Sequence, residues 1–175
     1  SKDMKAISEK TVNLFMTSPP YWNLKDYGSP DEIGKSSYDK YIDDMNLVWE
    51  ECYKKGTDNS VLVVNVNNRR FKGLYYPIAF DIAESMQNWV LWDVVIWYVP
   101  NALPQTKAYT EKLLDKKFEF VLIFTKGGLD YKFHKPRVPH KYTEEVANHN
   151  KRNPRGRCIG NVIRIPAYRS PKLKD

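Results

Sequence analysis

An α/β fold with a largely parallel sheet is predicted by three features of this 175-residue sequence. Short apolar runs bounded by turn residues, VNLFM, VLVVNV and FEFVLIFT among them, have the length and composition of buried strands. Segments with apolar residues at three- and four-residue steps lie between them, the spacing of a helix with one buried face. The resulting order is strand, helix, strand, helix, strand, short helix, strand, which is that of α/β domains.

Residues 12–16 are the first buried strand, stopped by Pro19 and Pro20. A loop rich in Gly, Pro, Asp and Asn occupies residues 22–35. Tyr38, Tyr41, Ile42, Met45, Val48, Trp49 and Cys52 then form one helix face. Ser36 with Asp39 resembles a capping box, and Gly56 stops this helix. Residues 61–66 are the second buried strand, followed by the polar turn Asn67-Asn68-Arg69-Arg70. Pro77 suits the first turn of a helix from residue 78 to about 87, with Ile78, Ala79, Ile82 and Met86 inward. Val90–Tyr98 is a β-branched and aromatic strand broken by PNALPQ. A short helix around residues 109–114 leads to the strand Phe118–Thr125, which Gly127-Gly128 ends. The remainder is basic and weakly periodic, with one strand-like piece at 161–165.

The composition, 42% hydrophobic and 28% charged, is that of one globular domain with a core. No apolar run is long enough to span a bilayer, and the opening SKDMKAISEK is not a signal peptide, so a cytoplasmic location and no membrane partner are expected. The net charge of +7 is unevenly placed. Residues 131–175 hold six lysines and six arginines against Glu144, Glu145 and Asp175, which leaves the rest of the chain slightly acidic. Such a basic segment points to a polyanion, nucleic acid first of all, with a solubilising tail as the alternative. The aromatic share of 14% supplies rings for base stacking as readily as for a core. Cys52 and Cys158 make no disulfide framework, and His134, His140, His149 and Cys158 match no common zinc spacing, so no metal is expected.

Ligands of α/β sheets bind beyond the carboxyl ends of the strands. TSPPYW, residues 17–22, stands at such an end. Pro19 and Pro20 fix φ and preorganise the backbone. The Ser18 hydroxyl and the Pro19 carbonyl are two acceptors held close together, which suits an NH2 group. Tyr21 adds a flat face. Together they describe a pocket for an aromatic amine such as a flipped-out nucleobase. The alternative is a tight turn with a ring packed on the core, because four residues are a weak match by themselves.

TSPPYW, preceded by SEKTVNLFM, resembles motif IV of the DNA amino-methyltransferases. NLKDYG, the helix with Trp49, VLVVNV, WDVVIWYVPNALPQ and FEFVLIFTKG follow in the order and at the spacing of the β-class enzymes, and GNVIRIPAYR is similar to the segment after their target-recognition region. The resemblance covers almost the whole chain. It implies part of a Rossmann-like methyltransferase sheet, with residues 1–130 as a catalytic half-domain and 131–175 as a basic target-recognition region and return segment. It also implies transfer of a methyl group from S-adenosyl-L-methionine to cytosine N4 or adenine N6 of double-stranded DNA, after base flipping and without a covalent enzyme–base intermediate. In that chemistry Ser18 and the Pro19 carbonyl accept from the amino group, Pro20 holds the turn and Tyr21 stacks on the base. Two acceptors on an aniline-like nitrogen localise its lone pair and disperse the charge that grows during attack on the methyl sulfonium.

Serine in the first position leans toward cytosine N4. Adenine N6, a non-catalytic DNA-binding subunit of the same fold, and an RNA base methyltransferase are the alternatives. A cytosine-C5 enzyme would need a nucleophilic cysteine, whereas Cys52 lies on the apolar helix face and Cys158 has no adjacent base. Lys151, Arg152, Arg155 and Arg157 occupy the place of the recognition region and are candidates for phosphate or guanine contacts. Trp22 and the strand-end pair Arg69 and Arg70 are further candidate nucleic-acid contacts. A prokaryotic restriction–modification system is the implied setting.

Two departures from the family pattern stand out. Val99 occupies a position where family members often have lysine, and no glycine-containing F-x-G-x-G cofactor turn occurs in the sequence. The expectation is a catalytic part lacking the cofactor-loop half, inactive without it, with that half on a second chain or a further segment. The first strand would then be an apolar edge with unpaired backbone groups. Any donor contacts of its own are expected at Asp3 and near Thr17.

Overall fold

The computed structural model describes residues 3–26, 28–29, 32–104, 110, 112–138 and 156–168. Its elements in chain order are β1 (Val12–Thr17), α1 (Tyr38–Lys55), β2 (Gly56–Val66), β3 (Arg69–Phe71), β4 (Leu74–Tyr76), α2 (Ile78–Ser85), β5 (Val90–Tyr98), β6 (Phe118–Thr125), β7 (Arg137–Val138), β8 (Arg157–Cys158) and β9 (Val162–Arg164). Five of these strands form one sheet in the order β1-β2-β6-β5-β9. The α/β class predicted from the sequence is therefore the one observed.

The sheet is less parallel than expected. β1 pairs parallel with β2, and β5 with β9. β6 runs antiparallel between β2 and β5. A parallel neighbour requires a crossover, usually helical, whereas an antiparallel one needs only a returning loop. The described part of the β5–β6 connection is such a loop: Thr110 and Lys112 are turn and residues 113–117 are irregular, where a short helix was expected. Tyr109 and Glu111 lie outside the described residues.

One face of the sheet is covered by the helices. Tyr41, Met45, Val48, Trp49 and Cys52 of α1 are buried against it, as their spacing predicts. Burial pushes the Cys52 thiol up to about 11, the behaviour of a core cysteine rather than a nucleophile. Ile78, Ala79 and Ile82 of α2, and Met86 just after it, close the same core over Leu62, Val64, Val66, Leu122 and Phe124. Each fully buried side chain of this size contributes about 1.5–3 kcal/mol. The other side of β1 is open: Leu14 and Met16 are 56% and 75% exposed on a strand at the sheet edge. Among the described residues no helix is long and apolar enough to cross a membrane.

Several local expectations shift by a residue or two. The α1 cap is Ser37, whose Oγ accepts from Lys40 N at 3.3 Å, not Ser36. Ser36 instead offers its carbonyl to the Trp22 indole N–H at 2.9 Å. Pro77 caps α2 rather than entering its first turn. The basic turn at 67–70 is half strand: Arg69 and Arg70 belong to the β3–β4 hairpin. The reversal comes at Lys72-Gly73, where φ is 48° and 80°, as a two-residue hairpin turn demands. Asn161 and Ile165 fall outside β9 but still bond to β5, through Ile96 N to the Asn161 carbonyl at 2.8 Å and Ile165 N to the Tyr98 carbonyl at 3.1 Å. The weakly periodic basic segment also contains the small antiparallel pair β7–β8.

Gly56 joins α1 to β2, and space rather than backbone freedom requires it. Its φ of −71° is open to any residue. A Cβ there would lie 2.3 Å from Ser60 Oγ, a group with no exposed surface. Gly56→Ala should therefore cost about 1–3 kcal/mol, read as a lower urea midpoint at unchanged slope. An unchanged midpoint would contradict the close approach.

Candidate active site

β1, β2 and β5 all end at one edge of the sheet, and because β6 is antiparallel it begins there. The segments attached to those ends meet around a cavity of about 390 Å³, whose wall includes Tyr21, Asn67, Arg69, Val99, Lys116 and Glu119. A parallel β6 would have carried Lys116 and Glu119 to the far edge.

The TSPPYW turn leaves β1 at this edge. Thr17 is half-buried, Ser18 exposed, Pro19 buried and Pro20 half-buried. The turn is tied to α1 by the Tyr41 hydroxyl, which donates to the Pro20 carbonyl at 2.9 Å. Tyr41 has no exposed surface, and burial raises its phenol pKa, so it acts only as a neutral donor. Among the described residues no hydrogen bond occupies Ser18 Oγ or the Pro19 carbonyl. Both acceptors are thus without an internal partner among the described residues, at a rigid strand end. Neither residue lines the cavity; Tyr21 does. Its carbonyl accepts from Leu24 N at 2.9 Å, and its hydroxyl donates to Glu119 Oε2 at 3.0 Å.

Trp22 goes the other way, which corrects its assignment as a nucleic-acid contact. It is only 6% exposed, and its ring packs against Tyr38, Phe71 and Tyr76 at centroid distances of 5.2, 5.4 and 4.5 Å. Edge and tilted ring pairs of this kind satisfy the indole's apolar body, and the Ser36 carbonyl satisfies its N–H. The ring is a core anchor for the loop.

Arg69 turns toward this loop. Its guanidinium donates to the Trp22 carbonyl and lies 5.1 Å from the Phe71 ring centroid, and burial lowers its pKa. Arg70 is exposed, 5.7 Å from the Tyr75 ring centroid. Arg70 is thus the more exposed of the two, while Arg69 is half-buried in the cavity wall. Arg157 has its backbone in β8, while Lys151, Arg152 and Arg155 lie outside the described residues, as do His140 and His149.

Sequence reasoning missed four contributors: Asn67, Asn68, Lys116 and Glu119. Asn67 donates to the Phe118 carbonyl at 2.7 Å, tying the end of β2 to the start of β6. Asn68 bonds the Tyr75 hydroxyl and Ala79 N, each at 2.9 Å, holding the β3–β4 hairpin to the start of α2. Lys116 donates to the Asn68 carbonyl, and burial lowers its pKa below the ordinary lysine range. Two asparagines straight after a buried strand were the one available signal. Nothing local marks Lys116 or Glu119, which reach the site through sheet topology.

The two expected donor contacts are not brought together. Asp3 precedes β1, where the Lys5 side chain bonds it at 3.0 Å and, with a smaller contribution from Lys55 at the end of α1, lowers its pKa. Thr17 is at the opposite end of β1, about 16 Å of extended chain from Val12.

Residues 12–175 match the DNA methylase family. The type II methyltransferase M.MwoI of Methanothermobacter wolfeii is 29% identical over 131 residues, covering 71% of this chain and 19% of that protein. M.HpaI of Haemophilus parainfluenzae, another type II methyltransferase, is 26% identical over 155 residues, covering 87% and 46%. The chain thus spans less than half the length of either relative. Among solved structures, the PvuII DNA methyltransferase (cytosine-N4-specific) aligns with a TM-score of 0.65 at 18% identity over 97% of this chain and 55% of that one. A DNA modification methylase of Thermus thermophilus, in complex with S-adenosyl-L-methionine, aligns with a TM-score of 0.58 at 24% identity over 93% and 63%. These structural likenesses establish the fold.

If Trp22 is a core anchor, Trp22→Ala should cost about 3–5 kcal/mol of unfolding free energy in denaturant titration. A stability equal to wild type would return the ring to the surface.

Proposed function

The chain belongs to the DNA methylase family, and from that premise we propose that it is the base-accepting and DNA-reading part of a cytosine-N4 methyltransferase of a restriction–modification system. The observation that carries this reading is the Ser-Pro-Pro-Tyr turn at the end of β1, with two acceptors that lack an internal partner among the described residues and with Tyr21 in the wall of a cavity at the carboxyl edge of the sheet. Serine in the first position, together with the cytosine-N4 specificity carried in the name of the PvuII enzyme, supports cytosine over adenine. The family also embraces N6 enzymes, and adenine N6 is the alternative. A DNA-binding subunit without chemistry is less favoured, because it would have no need of all four residues Ser18, Pro19, Pro20 and Tyr21.

In this mechanism the target cytosine leaves the helix and its ring lies on Tyr21. The Ser18 hydroxyl and the Pro19 carbonyl accept the two hydrogens of the amino group. That arrangement holds the nitrogen pyramidal, with its lone pair localised, and stabilises the positive charge that appears on it. Pro20, fixed by the Tyr41 hydroxyl, keeps both acceptors in place without further reorganisation. Arg70 and the basic residues Lys151, Arg152, Arg155 and Arg157 neutralise DNA phosphates. Neutralising the last four should weaken DNA binding and flatten its dependence on salt; an unaltered slope would remove them from the interface.

S-adenosyl-L-methionine supplies the methyl group in this reading. Asp3 and Thr17, the two candidate donor contacts, stand at opposite ends of β1 and do not meet in one site. We place the donor pocket on residues beyond those described, meeting the chain along β1, the strand at the sheet edge. Calorimetric titration of the 175-residue polypeptide should accordingly show no tight stoichiometric binding of S-adenosyl-L-methionine; tight binding would refute that placement.

The direct test of the site is Ser18→Ala in the methylation-competent protein that contains this chain. Methyl transfer should fall about 100-fold, the typical loss when one preorganised hydrogen-bonding partner of a developing charge is removed, while DNA affinity changes little. Unchanged turnover would end the role assigned to Ser18.

A further inference from the structure

We propose that Glu119 is a positioning residue for methyl transfer, fixing the Tyr21 ring in the plane against which the target base stacks. The inference rests on reading the Tyr21 cavity as the base pocket.

The backbone of Tyr21 is already pinned, by Tyr41 on the Pro20 carbonyl and by Leu24 N on its own carbonyl. Its two side-chain torsions are not fixed by those bonds, and a stacking surface is only as well defined as its ring plane. The ring packs against the core, and the hydroxyl adds a directional constraint by donating to Glu119 Oε2 at 3.0 Å, across 98 residues of sequence. Glu119 is a suitable anchor. It lies in β6, in register with Trp97 of β5, so its backbone is held by the sheet. It is half-buried, and a carboxylate accepts a hydrogen bond more strongly than a neutral oxygen. Its charge is not isolated, because Lys116 lines the same cavity and interacts with it electrostatically. Methyl transfer requires the amino nitrogen to be aligned with the donor, so a ring free to tilt would slow the chemical step more than binding.

The test is a double-mutant cycle on the single-turnover methylation rate of the competent protein, at saturating DNA and S-adenosyl-L-methionine, with DNA affinity measured alongside. Glu119→Ala and Tyr21→Phe should each slow the step about 10-fold, the scale of one hydrogen bond, at unchanged DNA affinity. The double variant should be no slower than either, because both remove the same contact. Glu119→Gln, whose amide oxygen still accepts, should stay within about 3-fold of wild type. A wild-type rate in Glu119→Ala, a Gln variant as slow as the Ala variant, or losses that multiply in the double variant would each overturn the assignment. A wild-type protein that methylates no DNA would instead overturn the base-pocket reading itself, so the two failures are distinguishable.

Discussion

The site depends on the direction of one strand. β6 lies between β2 and β5 and runs against both. Its first residues therefore stand at the edge where its neighbours finish, and Lys116, Phe118 and Glu119 face the turn that leaves β1. Side-chain bonds hold this edge shut, among them Asn67 to the Phe118 carbonyl, Lys116 to the Asn68 carbonyl and Tyr21 to Glu119. Without the reversed strand, the Ser-Pro-Pro-Tyr turn would be a rigid loop with no opposite wall.

A second constraint separates two neighbouring rings. Tyr21 faces the cavity, while Trp22 is buried among Tyr38, Phe71 and Tyr76. The buried indole is the anchor that lets the exposed serine and the half-buried tyrosine hold their geometry. Arg69 reinforces it from the β3–β4 hairpin by bonding the Trp22 carbonyl. One loop thus carries both its chemistry and its own foundation, with Tyr41 beneath the second proline.

Much of this was legible in the sequence, for identifiable reasons. The strands Val90–Tyr98 and Phe118–Thr125 have the predicted bounds because each is a β-branched and aromatic run closed by proline, glycine or charge. The inward face of α1 follows from helical periodicity alone. The turn after β1 was recognisable because prolines advertise backbone that no ladder uses. Strand direction was not legible: an apolar run reads the same both ways, and only a β5–β6 connection read as a loop, which its described part is, would have given it away. Trp22 was misassigned because a ring beside an active-site turn has no local mark of whether it faces core or ligand. Glu119 and Asn67 reach the site through contacts 98 and 51 residues distant in sequence, which no local pattern contains.

The central claim is that this turn receives a cytosine amino group. DNA exposed to the methylation-competent protein and S-adenosyl-L-methionine, then digested to nucleosides and resolved by mass spectrometry, tests it most directly. The account predicts N4-methylcytidine as the modified nucleoside in its deoxy form, absent when Ser18 is replaced by alanine. N6-methyladenine would contradict the assigned base, and 5-methylcytosine or unmodified DNA would contradict the chemistry.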